Sequence, residues 1–246
     1  MNRWIKKISN KQILILLLLL IVFFSVTVYS LKTNTKIIIK ESETTVKNNI
    51  NNVLDIKSIR EKIKKENIVF LGDSITSFYP LNSIFNDMPV INSGVSGYKT
   101  TDILDRMEDM VYKYNPTKVL LLIGINDIND HRTEEDRETT VNNIKKIIDN
   151  IRTNRPKAKL YVESIYPINP DNDKNWSEEM DNEIIKKINK NIEEYCNSKK
   201  IVYIDIFDEL MDDNGCFSKE YSDDGLHPNN VGYAKITSLL MPYILS

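Results

Sequence analysis

From position 68 to the C-terminus, short apolar runs of strand length alternate with apolar stripes at helical spacing, and that alternation leaves few folds open. The runs lie at 68–71, 90–91, 119–123, 160–164 and 201–206. Between them Ile103/Leu104/Met107/Val111, Ile144/Ile147/Ile148/Ile151 and Ile184/Ile188/Ile192 each fall on one helix face, and Ile236/Leu240/Tyr243 do so after the last run. A parallel neighbour is reached only by carrying the chain back across a sheet face, so strict alternation implies crossover helices on both sides. The expected fold is α/β, a parallel sheet of about five strands covered on both faces.

Residues 1–12 form a tail carrying Arg3, Lys6, Lys7 and Lys11 ahead of an uninterrupted apolar run, 13–24, that continues in mostly apolar residues to 31. At roughly 1.5 Å per residue, a helix over 13–31 reaches about 28 Å, close to the ~30 Å hydrocarbon core of a bilayer. An N-terminal transmembrane helix is the expectation. A cleaved signal peptide ending near Val28-Tyr29-Ser30 is the other reading. The short basic tail places the N-terminus inside and the folded domain outside, although Lys32, Lys36, Lys40 and Lys47 nearly balance it. Both readings export the domain, which is single-pass at the cell membrane if the segment stays and secreted if it is cleaved. Residues 32–52, dominated by Lys, Thr, Asn, Glu and Ser, read as a polar stalk. Ile56, Ile59 and Ile63 suggest a first helix, and the folded domain is assigned to 53–246.

Composition excludes several classes of function. The formal net charge is −2 and no dense basic block occurs, so no nucleic-acid partner is expected. Cys196 and Cys216 lack zinc-ligand spacing and the chain has 2 histidines, so no metal is expected and no cofactor is called for. Cys196 continues the stripe of Ile188 and Ile192 and reads as a buried thiol, with a disulfide to Cys216 the less favoured alternative. Gly94 to Thr100 lacks the adjoining Gly-Lys of a phosphate loop, since Tyr98 separates Gly97 from Lys99.

In open parallel sheets ligands bind beyond the carboxyl ends of the strands, and the unusual residues of this chain lie there. Gly72-Asp73-Ser74 follows the first run, Asn92-Ser93-Gly94 the second, Gly124-Ile125-Asn126-Asp127 the third, and Asp224-Gly225-Leu226-His227 comes after the fifth. A serine hydroxyl attacks a carbonyl only when a base takes its proton and donors receive the oxyanion. Ser74 is the candidate nucleophile. Near neutral pH few side chains serve as base better than a histidine held by a carboxylate, so His227 is the candidate base and Asp224, three residues earlier, its orienting partner. The backbone N–H groups of Ser74 and Gly94 and the side-chain amide of Asn126 are the candidate oxyanion hole. Asp73 reads as a helix cap and Asp127 as a loop hydrogen-bonder, both structural. His131 reads as a solvated loop residue.

These blocks, in this order, resemble the SGNH hydrolases, also called GDSL esterases and lipases, from position 68 to the C-terminus. Ile75 stands where the family name has leucine, a swap of similar apolar volume. The resemblance implies a flavodoxin-like three-layer α/β/α fold. It also implies the same roles: Ser74 nucleophile, His227 base, Asp224 orienting acid, Gly94 and Asn126 at the oxyanion hole.

The expected activity is a serine esterase acting on small acyl esters, foremost O-acetyl esters on surface carbohydrate, through an acyl-serine intermediate. Acetyl transfer to wall polysaccharide is an alternative, as is a surface lipase or lysophospholipase. The loops between Ser74 and His227 hold no long apolar segment able to cover a fatty chain, and the insertion at 169–177 is polar apart from Trp176. Trp176, Phe217, Tyr221 and Tyr98 are candidate sugar-stacking rings, although loop aromatics more often pack locally.

Overall fold

In the computed structural model the described residues are 66–85, 88–130, 133–171 and 181–246. Five parallel strands form one sheet in the order β2-β1-β3-β4-β5, with β1 at Ile68–Gly72, β2 at Val90–Gly94, β3 at Lys118–Leu122, β4 at Lys159–Glu163 and β5 at Val202–Ile204. β1 and β3 lie inside the sheet and are buried along their whole length. Their sequences are therefore near-continuous apolar runs rather than alternations. Lys118 breaks the run in β3 at 2% exposure, but its ammonium donates to the Ile244 carbonyl at 2.6 Å and pairs with Glu66 at 3.6 Å, which compensates the buried charge.

The helices are α1 Ser74–Ser77, α2 Leu81–Phe85, α3 Thr100–Asp105, α4 Met107–Met110, α5 Ile125–Asp130, α6 Glu134–Asn154, α7 Asn182–Ser198 and α8 Asn230–Ile244. With this strand order, right-handed crossovers put the β1-to-β2 connection on one face and the later connections on the other. The packing agrees. α6 contacts both α3 and α7, whereas α8 meets α1, where the Tyr233 hydroxyl donates to the Ile75 carbonyl at 2.8 Å. The result is the three-layer α/β/α arrangement with flavodoxin-like strand order.

The helical stripes fill the core with small shifts of register. In α6, Ile144, Ile147, Ile148 and Ile151 are buried, as their spacing implies. In α7 the core position belongs to Ile185 rather than Ile184, alongside Ile188, Ile192 and Cys196. In α8 it belongs to Ile244 rather than Tyr243. The stripe from Ile103 to Val111 is split between α3 and α4 at Arg106. Cys196 and Cys216 are both free thiols, and burial pushes the Cys196 thiol up to about 12.

Among the described residues no helix is long and apolar enough to cross a membrane. The apolar run 13–31, the stalk 32–52, the helix suggested by Ile56, Ile59 and Ile63, His131 and Trp176 all lie outside the described residues.

From β1 the chain moves to one side of the sheet to form β2, and from β3 onward it builds on the other side. Between the carboxyl ends of β1 and β3 the connections diverge, leaving a crevice where no crossover helix closes over the strand ends. Gly72-Asp73-Ser74 leaves β1 and Gly124-Ile125-Asn126 leaves β3 at that crevice.

Candidate active site

Ser74 opens α1 directly after β1 and is 5% exposed. The turn is held by Asp73, whose carboxylate caps the helix by accepting the Ile75 N–H at 3.0 Å. Asp73 is 1% exposed, and burial, reinforced by the Asp127 carboxylate and opposed by the Ile75 N–H, pushes it up to about 7. Asp127 accepts both the backbone N–H and the hydroxyl of Thr100, tying the start of α3 to the loop after β3. Both aspartates thus do the structural work read from their positions.

The Ser74 Oγ lies 2.9 Å from His227 Nε2, although 153 residues separate the two in sequence. His227 Nδ1 lies 2.7 Å from Asp224 Oδ2. The three side chains form one line of hydrogen bonds from hydroxyl to carboxylate. The other oxygen of Asp224 accepts the backbone N–H groups of Leu226 at 2.9 Å and His227 at 2.7 Å, so the carboxylate is fixed by its own turn. Partial burial works against its ionisation, but the bond from the His227 ring, these two N–H groups and the charge of the imidazole outweigh it and hold the carboxyl below its usual range. An ionised Asp224 keeps a proton on Nδ1 and leaves Nε2 as the acceptor facing Ser74.

Ser222 also shapes this turn, a role sequence reasoning missed. Its buried hydroxyl accepts the Gly225 N–H at 2.9 Å and reaches the His227 carbonyl at 2.8 Å, closing the loop on itself. From the opposite side the Asn169 N–H donates to the Gly225 carbonyl at 2.8 Å.

On the oxyanion side the candidate donors differ in whether their N–H groups are already engaged. Asn126, in the first turn of α5, donates one amide hydrogen to the Tyr98 carbonyl at 2.9 Å. That bond fixes the amide and leaves its second hydrogen for a ligand. Ser74 supplies a first-turn N–H, a group without an intrahelical partner. Gly94 does not have the role expected of it, because its N–H is donated to Asn92 Oδ1 at 3.0 Å. A Cβ at Gly94 would lie 2.3 Å from the Ser77 nitrogen, so this glycine exists to let β2 pass close beneath α1. Gly97 offers the free donor in that loop. It takes φ +80°, open space surrounds the place of a Cβ, and among the described residues its N–H has no partner. Both glycines sit in one short sequence block, and only backbone conformation separates their roles.

A second buried carboxylate lies at the end of β4. Glu163 is 5% exposed and accepts the Tyr166 hydroxyl at 2.6 Å, and burial pushes it up to about 7 against that bond. Its sequence signal was a lone acid inside an otherwise apolar run. Of the rings proposed for sugar stacking, Phe217 is fully buried, while Tyr98 and Tyr221 are partly buried against the core.

A serine on the first strand end, bonded to an imidazole that is bonded to a carboxylate, at the switch point of a flavodoxin-like sheet, is an arrangement able to activate a hydroxyl as a nucleophile. The profile of the GDSL-like lipase/acylhydrolase family matches residues 70–235, and the chain belongs to that family. It is 27% identical over 168 residues to the N-acylneuraminate cytidylyltransferase of Escherichia coli O18:K1:H7, covering 68% of this chain and 37% of that protein. It is 30% identical over 162 residues to a multidomain esterase of Ruminococcus flavefaciens, covering 59% of this chain and 19% of that protein. The chain thus spans well under half the length of these two relatives. Among solved structures, a GDSL-like lipase from Bacteroides thetaiotaomicron superposes with a TM-score of 0.66 at 26% identity, covering 74% of this chain and 89% of that one.

Proposed function

We propose that this chain is an extracytoplasmic serine esterase that hydrolyses small acyl esters, foremost O-acetyl esters on surface carbohydrate. The observation that carries the reading is the unbroken contact from Ser74 Oγ through His227 to Asp224. As Oγ bonds to the ester carbonyl carbon, its proton passes to Nε2, and the carbonyl oxygen becomes an oxyanion received by the N–H groups of Ser74 and Gly97 and the Asn126 amide. The imidazolium, stabilised by Asp224, returns that proton to the alkoxy oxygen, and the alcohol leaves. Water then attacks the acyl-serine with His227 again as base, releasing the carboxylic acid and restoring Oγ–H.

Small acyl groups are favoured by the scarcity of apolar surface. Among the described residues the exposed large hydrophobic side chains are Phe78, Ile84, Val95, Val202 and Val231, too few to receive a fatty chain. Each added methylene gains about 0.8 kcal/mol only where such surface exists. The export reading rests on the apolar run 13–31. The test is a series of p-nitrophenyl esters assayed beside acetate release from an acetylated polysaccharide. kcat/KM is expected to fall steeply from acetyl and butyryl to octanoyl. Rising activity with chain length would contradict the small-acyl reading, and acetyl appearing on an acceptor glycan in place of free acetate would contradict hydrolysis.

A further inference from the structure

Phe78 is 53% exposed, the most exposed of the large hydrophobic side chains among the described residues. Among the described residues it is the aromatic ring that packs on the His227 imidazole. Phe78 caps the C-terminus of α1 four residues after Ser74, its backbone N–H donating to the Ser74 carbonyl at 2.9 Å, and its ring centroid lies 5.1 Å from that of His227 with the planes at 53°. A spacing of four residues brings two side chains to the same face of a helical turn, so Phe78 stands beside Ser74 as well as against the imidazole. A phenyl ring kept half in water forgoes part of its burial free energy in the free protein, and a bound ligand can recover it.

Which part of an ester would lie there follows from the proton path. The nitrogen that takes the Ser74 proton must return one to the alkoxy oxygen, so that oxygen comes within hydrogen-bond reach of His227 Nε2. The first atoms of the alcohol therefore sit beside the imidazole, where Phe78 is. The acyl group leaves the tetrahedral carbon along a different bond, and the oxyanion points toward Gly97 and Asn126.

We propose that Phe78 is the alcohol-side specificity residue, a platform for an alcohol with a flat apolar face such as the C–H face of a pyranose ring. The proposal rests on the acetyl-ester reading and adds to it the residue that recognises the alcohol. Val95, also exposed, follows Gly94 in the loop that carries Gly97, and its N–H donates to the Gly72 carbonyl at 3.1 Å.

The experiment holds the acyl group constant as acetyl and varies the alcohol: ethyl acetate, cyclohexyl acetate and a peracetylated methyl xyloside, assayed with the full chain and its Phe78→Ala and Phe78→Tyr variants. Phe78→Ala is expected to lower kcat/KM on the two ring-bearing acetates by about tenfold, the scale of a lost apolar contact in a recognition site. On ethyl acetate the loss should be clearly smaller than on the two ring-bearing acetates, and Phe78→Tyr should restore the ring-bearing substrates. The relative order of p-nitrophenyl acetate, butyrate and octanoate should be the same in Phe78→Ala as in the wild type. An equal loss on all three acetates would show that Phe78 acts through His227 and would overturn the proposal, as would an acyl-length profile that changes. Wild-type protein that turns over none of these acetates would instead overturn the ester reading beneath it. Unfolding temperatures of the variants within a few degrees of the wild type confirm that the comparison is between folded proteins.

Discussion

Two aspartates flank the line of hydrogen bonds between Ser74 and His227, and their environments give them opposite characters. Asp224 has a side chain 49% exposed, meets an imidazole and two backbone N–H groups, and is held below the usual carboxylate range. Asp73 is almost wholly buried, caps α1 through the Ile75 N–H, has the Asp127 carboxylate as a neighbour, and is pushed up to about 7. Residue type alone does not separate them, and each stands within three positions of Ser74 or His227. What separates them is how many donors reach the carboxylate against how much water is removed from it. A charged Asp224 can stabilise an imidazolium, whereas Asp73 serves as a cap whose charge is not needed.

The comparison breaks most visibly under amide substitution. Asp224→Asn is expected to lower kcat about 10⁴-fold, since an amide does not hold Nδ1 protonated. Asp73→Asn retains an oxygen to accept the Ile75 N–H and should change kcat by less than about tenfold. Comparable losses in both variants, measured as steady-state kcat, would show that the two carboxylates are not distinct in role.

The oxyanion side sharpens the contrast at the next scale. Asn126→Ala should lose roughly 10²- to 10³-fold in kcat with KM little changed, the usual consequence of deleting one oxyanion donor. The two glycines of the second loop should separate by readout. Gly94→Ala places a Cβ 2.3 Å from the Ser77 nitrogen and should lower the unfolding temperature markedly, whereas Gly97→Ala meets open space. Its penalty is the left-handed backbone, on the order of 1–2 kcal/mol, so activity should fall more than stability. Thermal unfolding and kcat measured together decide this pair.

The smallest expected effect lies in the pH dependence of stability. The folded-state values of Asp73 and Glu163 are raised to about 7, so the folded chain binds more protons than the unfolded one between the ordinary carboxylate range and that pH. Their contribution is most favourable at low pH, below the unfolded values, and is lost as pH rises through about 7. Asp73→Asn and Glu163→Gln should each flatten the fall in denaturant midpoint between about pH 4 and 7. A slope unchanged in both variants would contradict the burial argument.

How much of this was legible in the sequence depends on the range of each interaction. β1 and β3 announced themselves because strands buried on both faces need unbroken apolar runs. The Asp224–His227 pair was legible because the two partners lie three positions apart in one turn. Asp73 and Asp127 were correctly read as structural from their places beside a helix start and within a loop. The choice between Gly94 and Gly97 was not legible, because it turns on where the Asn92 side chain donates and accepts and on one positive φ. The Glu163–Tyr166 bond and the ring of Phe78 against His227 were equally hidden, the first because only packing shows that both groups are buried, the second because its partners are 149 positions apart in the numbering of Phe78 and His227. The shift from Ile184 to Ile185 in α7 is of a different kind, since adjacent isoleucines leave the face of the helix open until it docks.

The identity of the nucleophile is the claim on which the rest depends. It is tested most directly by labelling the full chain with a fluorophosphonate, which reacts with an activated serine, and mapping the modified peptide by mass spectrometry against parallel loss of esterase activity. One label per chain on Ser74, in step with loss of activity and absent in His227→Ala, is the expected result. A label on another residue, or activity that survives full modification of Ser74, would contradict it.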